Sequence, residues 1–214
     1  MNFNNDEIKK IATTFVHSSI KDEIPNGYCF SICFPLSILL SILKIKNKVA
    51  VGNAFINKMN VSHFWIKFEA DDMILDPTIR QFDTSKDLIY LGKISDDEIT
   101  KQYVELNNIG EQEFHEIYEN WSAPLYEKKD RILRSKKFED KMNLTNIKIA
   151  NSFIAGIREY GLEDQILHNE FAKLYLKSIE YNLRFRLKDG IQNSSYDLNE
   201  KFYNDLVDII STFN

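Results

Sequence analysis

Three residues in the first half of the chain have the types and the order that thiol nucleophilic catalysis requires. Cys29 precedes a long apolar segment, His63 lies in a run of aromatic and β-branched residues, and Asp76 ends the next such run. A free thiol is mostly protonated at neutral pH, and an adjacent imidazole that removes its proton makes it a nucleophile. A carboxylate on the far side of the imidazole fixes the tautomer and orientation of the ring. The order Cys29, His63, Asp76 therefore predicts acyl transfer through a thioester.

The segment that follows Cys29 is predicted to be a buried helix. Residues 30–43 form the longest apolar run of the chain, which is too short to span a bilayer. A helix that begins at Cys29 stabilises the thiolate through its unpaired N–H groups and its dipole. Pro35 opposes this start, because it removes a helical hydrogen bond to Ser31, whereas a helix that begins at Cys33 places the proline in its first turn. Local physics therefore favours Cys33 at the helix start, and the spacing of the motifs described below favours Cys29 as the nucleophile.

A predicted β-hairpin brings the histidine and the aspartate together. Its strands cover 61–68 and 73–76. A two-residue turn at Ala70-Asp71 makes Glu69 face Asp72, and counting back along both strands then makes Trp65 face Asp76. The alternation of side chains then puts His63 on the same face of the sheet, within reach of a hydrogen bond to the carboxylate. A register shifted by one residue would turn the imidazole to the opposite face.

The rest of the chain divides into a mixed front half and a helical back half. Apolar spacing predicts a helix over 6–20, and 48–56 and 88–91 have the composition of further strands. From about residue 97 the periodicity becomes helical, and we expect helices over 97–106, 111–120, 125–141, 145–159, 162–187 and 196–212. We therefore predict an α+β fold with a catalytic core at 1–95 and a helical region at 96–214 packed on it.

Composition and charge exclude several classes of protein. The 214 residues include 27 Lys and Arg and 32 Asp and Glu, a net charge of −5 without a basic patch, so nucleic acid is not an expected partner. The N-terminal segment lacks the apolar stretch of a signal peptide, which favours a cytoplasmic protein without a membrane partner and leaves secretion as an effector open. The two cysteines and four scattered histidines lack zinc-ligand spacing, so neither a metal nor a cofactor is expected. The oligomeric state is not determined by these features.

The motifs around the three residues resemble those of a known family. Gly27-Tyr28-Cys29, His63-Phe64-Trp65 and Asp76-Pro77-Thr78 are similar to the transglutaminase-like branch of the papain-like cysteine hydrolases, and Gly52 resembles the glycine that ends its first strand. The segments 76–82 and 90–92 are similar to small bacterial and phage members of this superfamily. The resemblance covers residues 25–95 and implies a papain-like core with a Cys29–His63–Asp76 triad. It implies a peptidase, amidase, deamidase or transglutaminase that acts on a protein or peptide.

Further candidates for substrate binding or for support of the triad are Gly27, Tyr28, Trp65 and Gln81. Trp65 is expected to pack over the histidine–aspartate pair and shield it from water. Papain itself carries a glutamine shortly before its cysteine that binds the oxyanion, and no glutamine precedes Gln81 in this chain. Asn26, the Tyr28 hydroxyl or the backbone would have to bind the oxyanion instead.

A protein without catalytic activity is the alternative, because a fold does not determine a reaction. Both cysteines could be small buried hydrophobic residues, and Asp76 could be a turn former before Pro77. Such a scaffold would bind a protein partner through its helical half, as an effector, immunity or adaptor protein. A nucleic-acid-binding helical protein is a third interpretation, which is opposed by the acidic residues that flank the basic run at 128–137.

Overall fold

A computed structural model of the chain describes residues 3–20, 24–25, 27–69, 72–110, 136–188, 206–207 and 209. The elements of the front half are the helices α1 (Asn5–Ile20) and α2 (Cys29–Ile42) and the strands β1 (Asn47–Ile56), β2 (Met59–Phe68), β3 (Met73–Asp76), β4 (Tyr90–Lys93) and β5 (Tyr103–Ile109). They are followed by the helices α3 (Lys136–Glu159), α4 (Glu163–Ile166) and α5 (Glu170–Lys188). The protein therefore has the predicted α+β fold, with a helical region toward its C-terminus.

The five strands form one antiparallel sheet in the order β4-β3-β2-β1-β5. A two-residue turn at Asn57 and Lys58 joins β1 to β2, and the positive φ angles of these residues, 51° and 65°, are those of a type I′ hairpin. β5 pairs with the outer side of β1, so the sheet continues beyond residue 95.

The segment after residue 97 differs most from the sequence prediction. The helix predicted over 97–106 is wrong, because a single 3₁₀ turn at Thr100–Gln102 leads directly into the edge strand β5. The strand predicted at 88–91 begins two residues later, and the helix predicted over 162–187 is divided into α4 and α5. The predicted helix over 145–159 is confirmed within α3. The helix predicted over 111–120 lies outside the described residues, as do most of those over 125–141 and 196–212.

Helix α2 lies at the centre of the hydrophobic core, and nearly all of its 14 residues are buried. It packs on β1 and β2 of the sheet and also contacts α3 and α5. Phe34 packs on Phe171 of α5, with ring centroids 6.3 Å apart. Gly156 of α3 lies so near Leu39 that a Cβ atom there would be 2.9 Å from Leu39 Cδ2. This burial offsets the hydrogen bond that Pro35 removes, so the helix runs through the proline.

A second, smaller cluster surrounds Trp65 on the opposite face of the sheet. The Trp65 ring lies 5.1 Å from that of Tyr103, the first residue of β5. Gly52 permits this packing, because a Cβ atom there would lie 2.1 Å from the Val104 carbonyl oxygen and 2.8 Å from Trp65 Cη2. The β1–β5 register is irregular between Val51 and Gly52, so this glycine lies within a bulged strand and not at a strand end.

Candidate active site

The two cysteines of α2 occupy different environments. Cys29 is the first residue of the helix, where the unpaired N–H groups and the positive end of the dipole lie, and 9% of its surface is exposed. Cys33 lies one turn later, is fully buried, and donates its S–H to the Phe64 carbonyl oxygen at 3.3 Å. Burial raises the pKa of the Cys33 thiol well above its usual value, and the nearby Asp76 adds to this effect. The structure thus places a thiol at the helix start through Cys29 and keeps Cys33 protonated in the core.

The hairpin of β2 and β3 has the register that the sequence predicts. Ile66 pairs with Leu75, and the same register places Trp65 opposite Asp76. His63 lies on the same face of the sheet, just beyond the end of the short ladder between the two strands. The two residues of the predicted turn lie outside the described residues.

His63 and Asp76 form a fully buried pair, with Nε2 of the imidazole 2.9 Å from Oδ2 of the carboxylate. The side chain of Cys29 lies near enough to the imidazole to contribute to the pKa of His63. Because Nε2 faces Asp76, Nδ1 is the nitrogen that remains for the thiol. Burial lowers the pKa of His63, but the charge and hydrogen bond of Asp76, together with Cys29, outweigh burial and raise it to about 9. The geometry brings all three residues of the predicted triad together.

The carboxylate of Asp76 accepts three further hydrogen bonds. The Tyr103 hydroxyl donates to Oδ2 at 2.5 Å, and the N–H and hydroxyl of Thr78 donate to Oδ1 at 2.8 and 3.0 Å. Burial raises the pKa of Asp76, but His63 and these donors outweigh burial and hold it below its ordinary value. Burial, with the charge of Asp76, raises the pKa of the Tyr103 hydroxyl, which therefore remains a donor. The site thus keeps an ionised carboxylate beside the imidazole.

Two of these contacts were missed by sequence reasoning. Thr78 belongs to the Asp-Pro-Thr motif, but no role was predicted for it. Tyr103 was missed because its segment was predicted to be helical. An aromatic residue followed by a β-branched residue, here Tyr103-Val104, is also typical of the start of a strand.

Gln81 lies against the second ring nitrogen of His63. Its side-chain nitrogen is 3.2 Å from Nδ1 of His63 and 3.1 Å from the hydroxyl oxygen of Thr78. The 3₁₀ turn at Ile79–Gln81 directs it there, and the side chain remains partly exposed. The structure therefore brings this predicted supporting residue to the reactive side of the imidazole.

Aromatic rings enclose His63. The ring of Phe82 lies 4.9 Å from the imidazole, that of Tyr103 lies 5.0 Å away, and that of Trp65 is stacked at 5.9 Å. They limit the access of water, so the hydrogen bonds of the pair act in a medium of low dielectric constant. Trp65 is fully buried, which fits the predicted shielding role.

Gly27 and Tyr28 precede the helix and have different surroundings. Gly27 is exposed with a φ angle of 78°, in the left-handed region that favours glycine. Tyr28 is buried, and its hydroxyl donates to Oγ1 of Thr145 on α3 at 3.3 Å. This bond directs the hydroxyl to the helical region, away from the oxyanion role considered for it. Asn26, the other side chain considered for that role, lies outside the described residues.

Comparisons with protein-family models, with curated proteins and with solved structures return no match for this chain. Within the described ranges, no group of three or more His, Cys, Asp and Glu residues is placed to hold a metal ion. None of the helices in these ranges is both long and apolar enough to cross a membrane. The site is therefore interpreted from its own geometry.

Proposed function

We propose that this protein is a cysteine-dependent acyl-transfer enzyme with a papain-like, transglutaminase-like core. It acts on an amide bond of a protein or peptide and forms a thioester intermediate. The observation that carries the proposal is the buried hydrogen bond between His63 and Asp76, with the thiol of Cys29 beside the imidazole at a helix N-terminus. Peptidase, amidase, deamidase and transglutaminase activities share this chemistry and differ in the acyl acceptor.

The proposed reaction assigns one role to each member of the triad. His63 takes the thiol proton on Nδ1, and Sγ of Cys29 attacks the substrate carbonyl carbon. The carbonyl oxygen becomes an oxyanion, which the backbone N–H at the start of α2 can bind. His63 then gives its proton to the departing amine, and water or a second amine cleaves the thioester. Asp76 holds the Nε2–H of the ring and stabilises the imidazolium.

The hydrogen bond between Tyr28 and Thr145 supports a role for the helical region in substrate access. It joins the residue before Cys29 to α3, so the start of the nucleophile helix and the C-terminal helices are held together. In this proposal the substrate approaches Cys29 where the start of α2 meets α3.

Alkylation by iodoacetamide near neutral pH, with the modified residue identified by mass spectrometry, tests the proposal. We expect Cys29 to be alkylated in the wild-type protein and His63→Gln to slow this by roughly tenfold or more, because a thiol without an adjacent base to accept its proton is mostly protonated at neutral pH. Cys33→Ala is the matched control and should leave the rate unchanged, since the Cys33 thiol is buried and protonated. Equal alkylation of wild type and His63→Gln would contradict the proposal.

The burial of the site favours a second candidate function. His63 and Asp76 have no exposed surface and Cys29 is 9% exposed, as in a scaffold whose former active site has become part of the core. Such a protein would act as a binding module for a protein partner through its helical region. A Cys29 thiol that reacts no faster than a free cysteine would support this candidate and exclude the enzyme.

A further inference from the structure

Gln81 is the side chain that joins the reactive nitrogen of His63 to the partly exposed border of the site. The orientation of its amide follows from the hydrogen-bond network. The Thr78 hydroxyl donates its single proton to Asp76, so its oxygen must accept from Gln81. The NH₂ group of Gln81, and not its carbonyl oxygen, therefore faces both Thr78 and Nδ1 of His63.

This contact exists in only one protonation state of His63. Two nitrogens 3.2 Å apart form a hydrogen bond only when one of them accepts, so Nδ1 must carry its lone pair. The Cys29 thiol competes for that lone pair, because Asp76 occupies the other ring nitrogen. The titratable groups that face the ring are Asp76 of β3, Cys29 of α2 and Tyr103 of β5. When Nδ1 carries a proton, as it does at neutral pH because the pKa of His63 is raised to about 9, two donors oppose each other and the amide of Gln81 loses its acceptor.

We propose that Gln81 is the side-chain oxyanion donor of this site and that protonation of His63 at Nδ1 releases its amide. The inference rests on the proposed function and supplies the donor for which the sequence has no upstream glutamine. The tetrahedral intermediate always coexists with a protonated His63, since the imidazole then holds the thiol proton. The amide is thus free at the moment when a negative oxygen forms beside Cys29.

Formation of the thioester requires no reactant other than the substrate. The proton moves from Sγ of Cys29 to Nδ1 of His63, the sulfur–carbon bond forms, and the carbonyl π electrons move to oxygen. Gln81 and the backbone N–H of Cys29 donate to that oxygen. When the carbon–nitrogen bond breaks, the carbonyl re-forms, the amine leaves with the proton from His63, and the Gln81 amide returns to Nδ1.

Two small reagents that modify the same sulfur separate this role from a merely structural one. Acylation by p-nitrophenyl acetate passes through an oxyanion and releases nitrophenolate, whereas alkylation by iodoacetamide displaces iodide and forms none. For Gln81→Met we expect acylation of Cys29 to fall by about 100-fold, the typical effect of losing one oxyanion donor, and alkylation to change by less than about threefold. Gln102→Met is the matched control, because Gln102 is an exposed glutamine that donates to the Glu98 carbonyl oxygen at 2.7 Å.

The ratio of the two rates decides the outcome, because a folding defect lowers both. If acylation and alkylation fall together in Gln81→Met and in Gln81→Ala, or if neither changes, Gln81 is not the oxyanion donor. If His63→Gln alters neither rate in a protein with an intact Gln81, the proposed function itself fails. A loss confined to acylation, absent from Gln102→Met, is the result that we expect.

Discussion

Replacing His63 with glutamine should remove a pH dependence of stability that the buried pair creates. Imidazole has a pKa of about 6.5 in an unfolded chain, and the folded protein raises it to about 9. A raised pKa stabilises the folded protein fully below the unfolded value, and this stabilisation is lost as the pH rises toward the folded value. Between about pH 5.5 and about pH 8, the free energy of unfolding should therefore fall by about 2 kcal/mol through His63 alone. Asp76 does not contribute in this window, because its pKa is held low and it is ionised throughout.

Urea unfolding, followed by tryptophan fluorescence at several pH values in this window, measures the effect. The wild-type slope minus the His63→Gln slope removes the contribution of titrating groups that do not interact with the imidazole. Asp76→Asn should reverse the sign, because burial without the opposing charge puts the pKa of His63 below its unfolded value and stability then rises with pH. His17→Gln, which removes an exposed histidine of α1, is the control and should keep the wild-type slope. Parallel slopes for wild type and His63→Gln would show that the coupling with Asp76 is absent.

Two further substitutions test the surroundings of the pair. Tyr103→Phe removes the hydroxyl that donates to Asp76 at 2.5 Å. In urea titrations it should lower the free energy of unfolding by about 2 kcal/mol, the typical value for a hydrogen bond to a charged group. An unchanged midpoint would mean that this bond does not stabilise the carboxylate. Gly52→Ala places a methyl group 2.1 Å from the Val104 carbonyl oxygen and should destabilise the protein by about 3 kcal/mol with a shift in Trp65 fluorescence; a variant as stable as the wild type would contradict the close approach of β5.

The hairpin shows what sequence periodicity can establish. Strand alternation and a short turn are local properties, and together they determine which residues share a face. The pairing of His63 with Asp76 could therefore be predicted before the sheet was known, and the register at Ile66 and Leu75 confirms it. The contact between Gln81 and Nδ1 could not be predicted at this precision, since it depends on the 3₁₀ turn that follows Thr78.

The features that sequence reasoning missed depend on contacts between distant parts of the chain. β5 is a strand because it pairs with β1, and no residue pattern within 103–109 indicates that pairing. Glu105 and Leu106 even have good helix propensity. Pro35 likewise favours a helix start at Cys33 when only local hydrogen bonds are considered. The helix begins at Cys29 because it is packed between the sheet and the C-terminal helices.

The enclosed position of α2 has a consequence for how the protein is made. During translation α2 and the sheet are synthesised before α3 and α5. In the folded protein, however, Phe34 of α2 packs on α5 and Leu39 of α2 packs on α3. A nascent chain that ends before α3 therefore presents a strongly apolar helix face to water, a surface to which chaperones bind and through which unfinished chains associate. Because the same helix carries Cys29, this thiol reaches its final environment only after α3 and α5 have been synthesised.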